Sequence, residues 1–319
     1  MSSANAFLAG LSPSRGEKRH CSKRLELVGE DSYDIPMTVI SGAAEGPVLV
    51  AVAGVHAGEY VGTAALVELA DALDPAEIAG DVILVPCLNA SGFFAHARDI
   101  VPEDGCNLNA IFPGFDGGLT SERIAHWVAS ELFPGADFVL DLHSGAAYEE
   151  LDFYAYVPQA DAVRARILGL AAQTEIPALV PTYNTCGVSG YAAFELGIPA
   201  LMVECGGMGE CRAEAVARDR DVVLDAMAAL GMRERREGRR TVDQRVFEGC
   251  TPVCAIESGL WRPSAAPGCE LAAGDELGRM LDFTGRTVRS YTAERAGVLL
   301  HCTGSLAVRA HEPLATFAW

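Results

Sequence analysis

The strongest constraint on this chain is an alternation running from about residue 47 to about residue 230. Short apolar runs read as buried strands: PVLVAVAG (47–54), DVILVPCLN (81–89), DFVLDL (137–142), LDFYAYV (151–157) and IPALMVE (198–204). Between them, residues 59–73, 121–132, 160–173 and 213–230 carry apolar side chains at helical spacing. Strands alternating with helices predict an α/β domain whose mixed, largely parallel sheet lies between helices.

The character then changes. The run M232-R-E-R-R-E-G-R-R-T241 is dense in charge and has no apolar periodicity, so it reads as the solvated end of a helix followed by a linker. Beyond it come TPVCAIESGLWRP, DELGRMLDF, RTVRSYTA and GVLLHCTG, short strand-like pieces split by Gly, Pro and Asp. They predict a small C-terminal all-β domain over 241–319, after an α/β domain over 1–235.

The 319 residues carry a formal charge of −19. That balance argues against nucleic acid and against an anionic membrane surface, both of which select Lys and Arg. No stretch of about 18 apolar residues suggests a membrane span. The start, MSSANAFLAGLSPSRGEKRH, does not read as a secretion signal. The ten cysteines are scattered and make no C-x-x-C pair, so they read as reduced, mostly buried thiols of a cytoplasmic protein. Cys205 and Cys211 bracket a glycine-rich turn, but a zinc–thiolate site usually brings paired short spacings.

The informative feature is where the polar clusters fall. His56-Ala57-Gly58-Glu59 follows LVAVAG. Asn89-Ala90-Ser91-Gly92, and then Arg98, follow ILVPC. His143-Ser144-Gly145 follows FVLDL, and Glu204-Cys205-Gly206-Gly207 ends IPALMV. In open α/β sheets, ligands bind beyond the carboxyl ends of the strands. If these strands are parallel, the four clusters share one rim. Two imidazoles and a carboxylate suit a catalytic zinc, a separate carboxylate suits proton transfer, and a guanidinium suits an oxyanion. His56, His143, Glu59, Glu204 and Arg98 supply those groups. Each also has a structural explanation taken singly, and H-x-x-E alone is a weak match. Joint placement at strand ends is what favours a site. His20 (before the first strand), His96, His126, His301 and His311 read as uninvolved.

In motif order, G54-V-H-A-G-E59, N89-A-S-G-F93, R98, D104-G-C-N-L-N-A-I-F-P-G114, D141-L-H-S-G145 and V203-E-C-G-G207 resemble the succinylglutamate desuccinylase/aspartoacylase family. The resemblance covers nearly the whole chain. It implies a zinc-carboxypeptidase-like fold and a cytoplasmic hydrolase acting on C–N bonds, with one Zn²⁺ per chain. It also implies His56, Glu59 and His143 as metal ligands, Glu204 as general base and acid, and Arg98 as a contact to the scissile carbonyl or the substrate. The tail resembles the family's lipoyl/biotinyl-hammerhead-like β domain. The only lysines are Lys18 and Lys23, far from the tail, which argues against a carrier role.

One position departs from the pattern. Relatives read D/N-L-N-R before F-P-G, where this chain has N107-L-N-A110. An alanine cannot replace a bidentate arginine clamp, so the usual grip on a substrate carboxylate is in question. Asn109 and Tyr191 remain candidate substrate contacts. The acidic stretch Glu149-Glu150-Leu151-Asp152 would favour a substrate with an amine, such as an N-acetylated diamino acid, or is a solvated loop. Tyr291, or another β-domain residue, could reach the pocket. The expected function is a zinc-dependent deacylase of small N-acyl amino acids or amines. The alternatives are a metallopeptidase for short peptides and a non-catalytic ligand-binding relative. A small N-acyl molecule is the expected partner, and a homo-oligomer is left open.

Overall fold

A computed structural model describes residues 10–27 and 31–319; residues 1–9 of the start that does not read as a secretion signal lie outside them. Among the described residues, nine strands form the main sheet. Their order is Glu17–Glu26, Ser32–Ser41, Ala79–Val85, Ala44–Ala53, Phe138–His143, Ala200–Glu204, Tyr154–Pro158, Ala178–Thr182 and Arg245–Val246. The four strands that precede the polar clusters are consecutive and mutually parallel: Ala79–Val85 on Ala44–Ala53, that strand on Phe138–His143, and the latter on Ala200–Glu204. Most of their apolar residues are buried, as a sheet covered on both faces requires.

Helices Tyr60–Ala72 and Ala213–Ala229 pack against each other. The first buries Val61, Ala65, Leu66 and Leu69. It sits so close to the sheet that a Cβ on Gly62 would lie 2.7 Å from the Leu142 Cβ. This tight helix–strand contact fixes Glu59, at the start of the helix, beside His143. Lys18 donates to the carbonyls of Ala70, Asp71 and Leu73, which satisfies the carbonyl end of the same helix.

Several details differ from the sequence reading. His20 lies within a strand, because Glu17–Glu26 pairs with Ser32–Ser41 along its whole length. That edge strand is rich in Lys and Arg, and only Cys21 and Leu25 pack inward, too few to mark it in a hydrophobicity reading. The run 151–157 is divided. Tyr154–Pro158 joins the main sheet antiparallel to Ala200–Glu204, while Glu149–Leu151 pairs with Gly297–Thr303 of the C-terminal unit. The helix expected over 121–132 is α-helical at Thr120–Trp127 and continues as a π-turn at Val128–Leu132. Strand Ala178–Thr182 and helices Ala90–Ala95 and Gly187–Phe194 were not anticipated.

The charge run after residue 232 is no free linker. Arg236 is largely buried and paired with Glu175 at 2.6 Å, Asp225 at 2.9 Å and Asp221 at 3.1 Å. The run therefore folds back onto the helix it follows.

The C-terminal residues form two antiparallel sheets. One orders Cys250–Cys254, Pro313–Ala318, Gly297–Thr303 and Glu270–Leu271; the other orders Thr287–Thr292, Glu276–Leu281, Gly259–Pro263 and Ala307–Val308. Trp261, Leu277, Met280, Leu299 and Leu314 fill the space between them. Tyr291 is buried there too, its hydroxyl held by the Ile256 amide and Glu257, so it does not reach the cleft described below. A further cluster of Tyr154, Val180, Phe247, Val298 and Leu300 joins this unit to the main sheet. No helix among the described residues is long and apolar enough to cross a membrane. Leu300 is fully buried at that seam. Leu300→Ala is expected to lower stability by about 2–5 kcal/mol in chemical denaturation; an unchanged midpoint would show that the seam contributes little.

Candidate metal centre and its cleft

The four polar clusters emerge side by side. His56 and Glu59 leave the Ala44–Ala53 strand, His143 ends its own strand, and Glu204 lies next to His143 in the parallel register. Together with Arg98 they line one cleft of about 710 Å³.

Glu59 is the hub. Its Oε1 lies 2.8 Å from His56 Nδ1 and its Oε2 2.9 Å from His143 Nδ1. The Ser144 amide donates to Oε2 at 3.2 Å. Burial alone would push this carboxyl up, but the two imidazoles outweigh it and hold Glu59 at about 2. For His143, burial pushes the imidazole down, yet Asp141 and Glu59 outweigh that and hold it well above its ordinary value.

The far side of each ring is backed by an oxygen. His56 Nε2 lies 3.2 Å from Asn107 Oδ1. His143 Nε2 lies 3.0 Å from Asp141 Oδ1, within ion-pair range although not aligned as a hydrogen bond. Asp141 is itself fully buried and accepts from the Ser189 amide at 3.2 Å. Here both Nδ1 atoms face Glu59 oxygens, which accept from them; were a cation bound, an oxygen behind Nε2 would favour the tautomer with its proton there and free the Nδ1 lone pair for the metal. Asn107 and Asp141 carried no role in the sequence reading. Their signal was present, since each belongs to a quoted motif, but nothing in the sequence says which polar neighbour backs which ring.

Ligand atoms of His56, Glu59 and His143 all lie within 4.8 Å of one another, the one such group of His, Cys, Asp and Glu among the described residues. Two imidazole nitrogens and one carboxylate, with backed rings and an open side toward the cleft, fit a divalent cation of the zinc type. The cysteines do not compete. All ten are free; Cys205 is buried with its thiol pushed up by burial, while Cys211 is exposed.

Glu204 stands apart from this triad. Part of its side chain opens to the cleft, yet protein surrounds it. Burial pushes its carboxyl up, to about 8, against the opposing pull of His143. Such a carboxyl is poised to hold or release a proton near neutral pH.

Arg98 reaches the cleft from the loop after Ala90–Ala95. Its backbone carbonyl accepts from the Gly58 amide at 3.0 Å, locking it to the His56–Glu59 turn. Its guanidinium pairs with Glu149 and lies 3.4 Å from Asp99. Asn109 lines the cleft, with its Oδ1 engaged by the Val188 amide at 3.1 Å. Tyr191 instead packs near Phe112 and is not among the lining residues.

Of the acidic stretch, Glu149 and Leu151 line the cleft, while Glu150 and Asp152 do not. Glu149 is brought in by close backbone contact. A Cβ on Gly145 or Gly207 would lie 2.1 or 2.4 Å from its carbonyl oxygen, so only glycine admits the strand there. The C-terminal unit supplies the opposite wall, including His301, Arg309 and Glu312.

Residues 45–230 match the succinylglutamate desuccinylase/aspartoacylase catalytic domain. Over 277 residues, 83% of this chain and 80% of the relative, the sequence is 30% identical to N-alpha-acetyl-L-2,4-diaminobutyric acid deacetylase of Halomonas elongata. The product-bound structure of the ectoine utilization protein EutE (DoeB) from Ruegeria pomeroyi superposes with a TM-score of 0.85 at 26% identity, covering 96% of each chain. In fold, the succinylglutamate desuccinylase/aspartoacylase of Rhodobacter sphaeroides is similar at a TM-score of 0.87 and 24% identity, covering 98% of each.

If Asp141 orients His143, Asp141→Asn is expected to weaken Zn²⁺ binding about 10–100-fold in chelator competition. Unchanged affinity would mean that the ring is held by packing alone.

Proposed function

The chain belongs to the succinylglutamate desuccinylase/aspartoacylase family, and from that premise we propose that it is a zinc-dependent deacylase of small N-acyl amino acids. The observation that carries the reading is the meeting, in one cleft, of the His56–Glu59–His143 triad and the separate carboxyl of Glu204. His56, Glu59 and His143 would hold one Zn²⁺ per chain. When bound, the ion supplies Lewis acidity toward water and the scissile carbonyl.

The remaining roles fall to the chain itself. Glu204 takes a proton from the attacking water and returns it to the departing amine as the C–N bond breaks. Its raised pKa suits both tasks. Arg98 presents its remaining N–H donors to the substrate, with Asn109 beside it. Asn107 and Asp141 orient the two imidazoles, Asp141 from a fully buried position behind His143.

Substrate class follows from charge. The family resemblance implies an arginine where this chain has Ala110, and the guanidinium groups on the cleft are those of Arg98 and Arg309. Asp99, Glu149 and Glu312 line it too. This mixture suits a substrate bearing both a carboxylate and an ammonium group. The deacetylase from Halomonas elongata, by its name, acts on such a molecule, an N-acetylated diamino acid. We therefore assign the acyl group as acetyl and the amine as a short diamino acid. The all-β unit narrows the entrance and favours small molecules over proteins.

Glu204→Gln is expected to lower kcat for N-acetyl-2,4-diaminobutyrate about 10²–10⁴-fold while zinc content stays at one per chain. Full activity in that variant, or in protein stripped of metal, would refute the assignment.

A further inference from the structure

His301 read as an uninvolved histidine of the β domain, yet it lines the cleft from the Gly297–Thr303 strand. It is 8% exposed, and its Nε2 has no hydrogen-bond partner. An unpaired buried ring nitrogen carries a desolvation cost, so a polar group on a bound molecule that met it would gain. The ring is placed by pairing between the two units: His301 is in register with Leu151, and Thr303 with Glu149.

Nearby stands Glu149. Its Oε1 lies 3.9 Å from His301 Nε2, too far for a hydrogen bond between them. Its Oε2 accepts from the Ala146 amide at 3.2 Å. Two acceptors about 3.9 Å apart can both contact one ammonium nitrogen at about 2.8 Å, because –NH₃⁺ has three divergent donors. Burial first, and then the Arg98 cation, push the imidazole down to about 4. The ring is therefore neutral at physiological pH and does not repel a cation.

We propose that His301 and Glu149 together form the subsite for the free ammonium group of the substrate, so that the C-terminal unit selects amine-bearing N-acyl compounds. This rests on the deacylase reading and adds to it the residues that choose among substrates. The subsite joins two distant parts of the chain on adjacent, paired strands. Arg98 donates to the same Glu149 oxygen that faces His301, and a carboxylate oxygen keeps lone-pair capacity for a second donor.

The test uses the full-length, zinc-loaded enzyme with two compounds, N-α-acetyl-2,4-diaminobutyrate and N-acetyl-2-aminobutyrate, which lacks the terminal amine. Binding of the corresponding deacetylated products is followed by calorimetry. His301→Leu is expected to raise KM for the amine-bearing substrate, and Kd for its product, about 10-fold or more. Values for the amine-free compounds should stay within about twofold. His301→Gln, which keeps an acceptor, should recover part of the preference. Glu149→Gln should lose it, and serves as a second probe should the leucine variant fail to fold. Equal losses on both compounds, or no change in either, would overturn the subsite and leave the deacylase assignment standing. A wild-type enzyme that hydrolyses neither compound would overturn both.

Discussion

One carboxylate organises the site. Glu59 lies between two imidazole nitrogens, each within 2.9 Å of one of its oxygens. Burying a carboxylate is costly unless charge and hydrogen bonds compensate it. Here the compensation comes from His56, His143 and the Ser144 amide. Removing either ring would leave the other groups uncompensated. The convergence depends in turn on Gly62, whose missing side chain lets the helix that begins after Glu59 press against the His143 strand.

The parallel sheet converts sequence order into proximity. Four adjacent parallel strands deliver His56, Asn89, His143 and Glu204 to one edge. This was legible because each strand was a mostly apolar run, broken only by an acid such as Asp141, and each cluster began where a run ended. The metal-ligand candidates needed no contact information beyond that rule.

What escaped the sequence has physical reasons. The Glu17–Glu26 strand is charged along its length, so hydrophobicity could not mark it. Asn107 and Asp141 act on the far side of rings, and linear order does not report which oxygen stands behind which nitrogen. His301 lies 158 residues beyond His143 and enters the cleft only because Glu149–Leu151 leaves the main sheet to pair with the C-terminal unit. Nothing in LDFYAYV announces that break. Arg98 was found, but its pairing with Glu149 depends on the Gly145 and Gly207 approach and could not be read in advance.

The two parts of the molecule divide the labour in this account. In the proposed reading, the main sheet would hold the cation and the proton-transfer acid, and the β unit would face the substrate. The most direct measurement is anomalous diffraction at the zinc edge from crystals of the full chain grown with zinc. The account predicts one peak per chain, about 2.0–2.1 Å from the Nδ1 atoms of His56 and His143 and about 2.0–2.2 Å from a Glu59 oxygen. A peak elsewhere, such as between Cys205 and Cys211, or no peak at saturating zinc, would contradict it.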